Sequence, residues 1–408
     1  MRLGLVLAAA IAAFLTFIVV SQGGAVSGAL GCESAQRDCQ GAQNRGEAAG
    51  SLLGPKISQN APTRVAQAGW ETKQEPVKIC WSPDQLRGVP GDWKVKKEVS
   101  AAFQSAPNRK LLPFDPLPEA WRGVIRRVHI PDGRKVIALT FDVCEQPYEV
   151  SGYDSRVVDY LRDEKVKATF FISGKWFLTH KLRAEQILSD PLFEAGNHTW
   201  EHRNLRIVSN PVLHEEIEYA QASYEQVREE FGKLSCKNSG GTEQETAEGK
   251  TPPARMTLFR FPFGACHAAS LKAVNDAGLL AIQWDISSGD PWPLQTPDRI
   301  TKTVLPRVRP GSILLFHANG RGWHTSEALR EVIPRLRAQG YEFLTVSELL
   351  HYPGAQIEKA ETCYDQRPGD SERYDDLARR LEAKFAEFTK RMIAAKHSGT
   401  ATATSGGQ

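Results

Sequence analysis

The sequence predicts an α/β fold in which a parallel sheet with crossover helices closes as a distorted barrel, followed by a separate C-terminal helix. Two observations carry this. Short β-rich apolar runs alternate with stretches of helical spacing from about residue 135 to 346, and strand–helix alternation is the mark of a parallel sheet. The runs are also apolar at almost every residue rather than every second one, as strands covered on both faces require.

Taken in order, Lys135-Val-Ile-Ala-Leu-Thr-Phe141 reads as the first buried strand. Residues 153–164 carry Val157, Val158 and Leu161 at helical spacing. Residues 168–173 are a second strand, and Phe193 leads into a loop. A long helix is predicted over 211–231, a strand over 258–261, a helix over 269–277 and an extended piece over 281–285. A helix over 298–308, a strand over 312–316, a helix over 325–339 and a strand over 341–346 complete the series. Residues 236–255, rich in Gly, Glu, Thr and Pro, read as a surface-loop insertion.

The flanks divide the chain further. Residues 1–27 begin with Met1-Arg2, continue with an almost wholly apolar run and end with Ala25 and Ser27 at signal-peptidase spacing. They read as a signal peptide or membrane anchor. The expected location is therefore outside the cytoplasm: periplasmic, extracellular, or membrane-anchored and facing outward. Residues 28–118 read as a linker, rich in Gly, Ala, Gln and Ser up to 76, followed by an ordered extension of ill-defined structure. The main domain is placed at 119–352. Residues 353–408 hold one helix and a disordered tail; Leu377, Leu381, Phe385, Phe388 and Met392 form an apolar stripe that packs on the domain or on a partner chain. The net charge of +3, from 51 basic and 48 acidic residues, shows no concentrated basic patch, so nucleic acid is not an expected partner. Seven cysteines in an exported chain imply disulfides with one thiol left over. The sequence sets neither their pairing nor the oligomeric state.

Catalytic residues of a parallel α/β domain lie beyond the carboxyl ends of its strands, and four groups fall there. Asp142, after the first strand, suits a general base or a metal ligand, or else a turn. His198 and His202, in Asn197-His-Thr-Trp-Glu-His202, are spaced i,i+4, which lets both imidazoles reach one divalent ion. Arg260, in Arg260-Phe-Pro-Phe-Gly264, is placed to pair with Asp142, while the turn after Pro262 can aim a backbone N–H at an oxyanion. His317 closes an apolar strand and suits a general acid. Asp285 and Asp290 are candidates to orient it, and the tryptophans beside them can stack on sugar faces or belong to the core.

The order Thr-Phe-Asp, His-x3-His, Arg-x-Pro-x-Gly, Asp…Trp, Leu-x-His resembles the five motifs of the polysaccharide deacetylase family (carbohydrate esterase family 4, the chitooligosaccharide deacetylase homology domain). The resemblance covers about residues 135–350. It implies a barrel of the polysaccharide deacetylase type and a metal-dependent hydrolase that removes N-acetyl groups from an N-acetylated polysaccharide: chitin-like, peptidoglycan or poly-N-acetylglucosamine. By position, Asp142 matches the catalytic base, His198 and His202 two metal ligands, and Arg260 the residue orienting the base. The Phe263 backbone matches the oxyanion donor and His317 the general acid, with Asp285 or Asp290 as its partner. Zinc is the expected ion.

Two departures stand out. The family's second aspartate, a metal ligand, is here Val143, which cannot bind a metal. Glu145 is expected to supply the missing oxygen ligand, with Glu149 or Asp154 as substitutes. Cys144 and Cys266 each lie two residues from a motif residue and are expected to form a disulfide, with buried free thiols or a thiolate ligand as rivals. Two other functions fit less of the pattern: a catalytically inactive glycan-binding envelope protein, and a hydrolase of another C–N or ester bond.

Overall fold

The computed structural model describes residues 77–78, 80–97, 105–234, 248–249, 251–360, 362–363 and 370–397. The expected signal peptide or anchor, residues 28–76, most of the 236–255 insertion and the tail after 397 lie outside them. One ten-stranded sheet organises the molecule. Its strands are β1 (Val124–His129), β2 (Val136–Val143), β3 (Ala168–Ile172), β4 (Phe193–Asn197), β5 (Leu258–Phe259), β6 (Leu280–Ile282), β7 (Ile286–Ser287), β8 (Ile313–His317), β9 (Glu342–Leu344) and β10 (Gln356–Ala360). In space they run β7-β8-β2-β3-β4-β5-β6-β1-β10, with β9 beside the start of β2. Every named pairing is parallel except the antiparallel β10 on β1.

The sheet curls until β1 meets the residues leading into β8. Arg127 forms an antiparallel bridge to Ser312, and Val128 N–H donates to the Gly311 carbonyl at 3.0 Å. Gly311 has φ +80°, and a Cβ there would sit 1.6 Å from the Val128 carbonyl oxygen. Only glycine permits that closure. The predicted distorted barrel is the observed architecture.

Side-chain alternation along the strands sorts the core into two layers. On β2, Ile137, Leu139, Phe141 and Val143 face outward and join Val157, Leu161, Trp176, Ile187, Val227, Leu329 and Ile333 of the surrounding helices. Val136 and Ala138 belong instead to the inner cluster with Ile125, Phe171, Ile282, Ile313 and Leu315. Thr140 and Asp142 continue that inner face toward the carboxyl end of the barrel. The outer helices are α1 (Ser155–Asp163), α2 (Gly174–Thr179), α3 (Lys181–Ser189), α4 (Asn210–Gly232), α5 (Ala268–Asp276), α6 (Pro297–Val304) and α7 (Thr325–Ala338). The short α8 (Val346–Leu350) adds Val346, Leu349 and Leu350 to the inner cluster at the barrel's other end.

Residues 80–97 run along the outside of the domain: Tyr153 N–H donates to the Asp92 carbonyl at 2.8 Å, and Lys96–Lys97 pairs with Glu149–Val150. The C-terminal helix α9 (Asp370–His397) docks on the loops at the carboxyl end of the barrel. Asp375 accepts from Asn204 at 2.9 Å, Arg203 pairs with Glu382 at 3.2 Å, and the Tyr148 hydroxyl meets Thr389 Oγ1 at 2.6 Å. Of the expected stripe, Leu381, Phe385 and Phe388 are half-buried, while Leu377 and Met392 are exposed.

Candidate active site

Asp142, the penultimate residue of β2, is 5% exposed and points into the barrel mouth. Its Oδ1 accepts from Arg260 Nη1 at 2.9 Å. Arg260 follows β5 directly and is wholly buried. Its other donors reach the Ile282 carbonyl at 3.1 Å, Thr140 Oγ1 at 2.8 Å and the Gln283 carbonyl at 3.2 Å. Its guanidinium carbon lies 3.9 Å from the Phe171 ring centroid. A planar fork clamped on four sides and laid on an aromatic ring has one available position, so it fixes the Asp142 carboxylate too.

His198 follows β4 and is fully buried. Its Nδ1 lies 2.9 Å from the Arg260 carbonyl oxygen. A carbonyl only accepts, so Nδ1 carries the proton and Nε2 holds a free lone pair. That Nε2 is buried, has no hydrogen-bond partner, and lies 3.6 Å from Asp142 Oδ2. Burial, despite the nearby carboxylate, lowers the His198 pKa and favours the neutral ring. His202 stacks edge-on against His198 with centroids 4.9 Å apart. Its Nδ1 is likewise buried without a partner, and burial drives its pKa well below the ordinary value. Two neutral imidazoles with unused nitrogens on one side of a carboxylate make a donor set fit for a divalent cation.

His317 ends β8 directly opposite Asp142 in the strand register. Its Nδ1 lies 2.8 Å from Asp290 Oδ1, and its backbone N–H donates to Asp290 Oδ2 at 2.8 Å. Thr325 Oγ1 donates to that same oxygen at 2.6 Å. Burial opposes the charged ring, but the Asp290 carboxylate outweighs it and raises the His317 pKa. Phe263 adopts φ 59° and ψ 6°, a left-handed conformation costly for a residue with a bulky side chain. Its ring packs on His202 at 4.8 Å and lies 6.0 Å from Tyr374 of α9. Thr199 and His202 also have positive φ, so strained backbone gathers around the two histidines.

The structure thus brings Asp142, His198, His202, Arg260, Phe263, His317 and Asp290 to one end of the barrel. It leaves out four expected carboxylates and a disulfide. Asp285 accepts from Ser312 Oγ and Ile313 N–H, both at 2.9 Å, at the start of β8, whereas His317 ends that strand. Asp290 alone of the two partners His317. Glu145 accepts from the Ser151 N–H at 3.0 Å and from Thr179 Oγ1 at 2.9 Å, and burial pushes its pKa up to about 7. Its carboxyl is thereby held toward α2, which carries Thr179. Of its substitutes, Glu149 is held by Arg321 at 2.6 Å and Asp154 by Arg156 at 2.9 Å. The Cys144–Cys266 disulfide does not form. Cys266 bonds Cys363, and Cys144 is buried and free.

Comparison with known proteins decides the family. A polysaccharide deacetylase family model matches residues 129–282. A peptidoglycan-N-acetylglucosamine deacetylase of Bacillus cereus is 30% identical over 227 residues, covering 55% of this chain and 92% of that protein. The chain belongs to the polysaccharide deacetylase family. A chitooligosaccharide deacetylase of Azorhizobium caulinodans is 27% identical over 224 residues, covering 52% of this chain and 93% of its own length. Among solved structures, a CE4 family pseudoenzyme from Bacillus anthracis aligns with a TM-score of 0.43 at 26% identity, over 56% of this chain and 68% of that one.

As a polysaccharide deacetylase, the chain includes residues to which its motifs gave no role. Thr140 is a second anchor for Arg260. Asn319 Nδ2 donates to the Cys144 carbonyl at 2.7 Å and lies 3.2 Å from its sulfur. Thr325 completes the cage around Asp290. Period-two alternation back from Asp142 points to Thr140; Asn319 sits on a loop and Thr325 opens α7, and neither position carries such a signal.

Proposed function

We propose that this polysaccharide deacetylase is a metal-dependent hydrolase that removes N-acetyl groups from an N-acetylated polysaccharide, with peptidoglycan or a chitin-like polymer as the substrate class. The observation that carries the reading is the pairing of two opposed proton-handling units, Asp142–Arg260 and Asp290–His317, beside two histidines with unused nitrogens. His198 and His202 would hold the cation, zinc being the expected one, which when bound polarises the acetamide carbonyl and acidifies water. Asp142, fixed by Arg260, takes the proton of the attacking water as its oxygen bonds to the acetyl carbon. The Phe263 backbone, held in its left-handed turn, supports the oxyanion. His317 then delivers its Nε2 proton to the sugar nitrogen as the C–N bond breaks, releasing acetate and a free amine. Asp290 keeps that ring oriented and charged for the task.

Exposed aromatic surface suits a sugar polymer. Trp292 is 53% and Trp323 44% exposed, and the Trp323 backbone N–H donates to the Asp290 carbonyl at 2.8 Å, which ties that segment to the partner of the general acid. Export is supported by the Cys266–Cys363 disulfide, a bond that persists in oxidising compartments, together with the apolar N-terminus. Retention of that segment would attach the protein to a membrane. Acetate release from N-acetylglucosamine oligomers and from peptidoglycan, measured with and without chelator, tests the reading. Chelator-sensitive acetate that falls about 10²–10⁴-fold in Asp142→Asn is the expected result. Metal binding with no acetate from any N-acetylated glycan would refute it.

A further inference from the structure

The chain departs from its family's motif at Val143, and the residue just beyond β2 shows what stands in its place. Val143 faces the helices and is buried among them. Cys144, two residues beyond Asp142, returns to the inner side. There the Cys144 sulfur and one nitrogen each of His198 and His202 all lie within 4.8 Å of one another. We propose that Cys144 is the third protein ligand of the cation, making a Cys-His-His site with a position left open for water or substrate. The proposal rests on the metal-dependent reading above.

Three further observations support it. The cysteine is free, since Cys266 is taken by Cys363. Asn319 Nδ2 lies 3.2 Å from its sulfur, and an amide donor aimed at a thiolate is the outer-shell contact that stabilises such a ligand. His198 Nδ1 lies on the Arg260 carbonyl, which turns its unpartnered Nε2 to the cluster. On coordination the thiol gives its proton to solvent and a sulfur–metal bond forms. Two imidazoles and one thiolate match the three-ligand pattern of catalytic zinc. Soft sulfur also biases the site toward zinc and away from magnesium, calcium or manganese, which take oxygen ligands.

Cobalt(II) added to the purified, metal-stripped full chain reports the ligand set directly. The expected result is one bound cobalt per chain with an intense near-ultraviolet thiolate-to-cobalt charge-transfer band. Cys144→Ser should abolish that band and weaken binding at least about tenfold to hundredfold. Cys144→Asp, with an unchanged thermal transition as the check on folding, should restore tight binding without the band. Cobalt bound by the unaltered protein without a charge-transfer band would overturn thiolate ligation while leaving a two-histidine metal site standing. No cobalt bound, or binding unaffected by His198→Ala and His202→Ala, would overturn the metal reading and this inference together.

Discussion

Replacing Arg260 by methionine tests how the site is held together. Methionine keeps the length and contact of the side chain on Phe171 but removes the charge and every donor. The wild-type guanidinium donates to Asp142, Thr140 and the carbonyls of Ile282 and Gln283, and Asp142 is 5% exposed. Removing one partner of a buried ion pair costs about 3–5 kcal/mol, because the other charge is left uncompensated. Against a total stability of about 5–15 kcal/mol, that is a large share. If the stranded carboxylate is the cause, removing its charge must relieve it. Arg260→Met with Asp142→Asn should therefore be more stable than Arg260→Met alone, by about 1–3 kcal/mol. Urea unfolding of the wild type, both single variants and the double variant closes the cycle. A loss below about 1 kcal/mol for Arg260→Met, or strictly additive single effects, would refute the argument that Arg260 exists to balance Asp142.

Three other predictions follow from the same geometry. Asp290→Asn removes the charge that raises the His317 pKa. The proton-donating imidazolium is present below that pKa and lost as pH rises through it, so the alkaline fall of kcat/KM should begin at lower pH in the variant. The stability contributed by this pair is fully present below the unfolded histidine value of about 6.5 and lost as pH rises through the raised folded value. The variant should thus lose more stability in acid than in mildly alkaline buffer, as paired thermal melts will show. Cys363→Ser opens a cross-link spanning 97 residues, worth roughly 4–5 kcal/mol by loop-closure entropy; chemical denaturation of the variant against the oxidised wild type measures it. Asp375→Ala strands the Asn204 amide and releases Arg206, its partner at 3.2 Å. It should cost about 1–3 kcal/mol and raise hydrogen exchange across α9 before it affects the barrel.

The sequence carried the barrel because its inner and outer strand faces are both apolar, so β2, β3 and β8 appear as unbroken runs. It concealed the elements that lack that signature. β4 reads Phe-Glu-Ala-Gly-Asn, with no β-branched residue, and its Gly196 is required by the Phe171 ring, which a Cβ would meet at 2.7 Å. β1 and β10 hold each other as a mixed edge, a long-range pairing that no local pattern records. The site divided along the same line. Motif spacing located Asp142, the histidines and Arg260, since each ends or follows a strand. It did not separate Asp285 from Asp290, because they flank the two-residue β7, which is too short to show a strand pattern, and their difference lies in which end of β8 each one meets. The disulfide was misassigned for a related reason. Cys266 is taken by Cys363, which lies between β10 and α9, outside the strand-end motifs that suggested Cys144.

The parity of one strand explains why valine is tolerated at a position where the family has a metal-binding aspartate. A residue that begins its side chain toward the helices must turn back over the strand end to reach the barrel mouth, whereas Cys144 starts on the mouth's side. Moving the ligand one residue along the chain therefore exchanges a carboxylate for a sulfur without shifting Asp142, whose position is fixed separately by Arg260, itself anchored on Thr140. Val143 is then free to serve the core, where it is 1% exposed. Val143→Asp should, on this reasoning, place a carboxylate in the buried outer cluster to which Val143 belongs and destabilise the fold by several kcal/mol. Thermal denaturation decides it. A Val143→Asp protein as stable as wild type would mean that the strand end can rotate to present either residue, and parity would no longer account for the exchange.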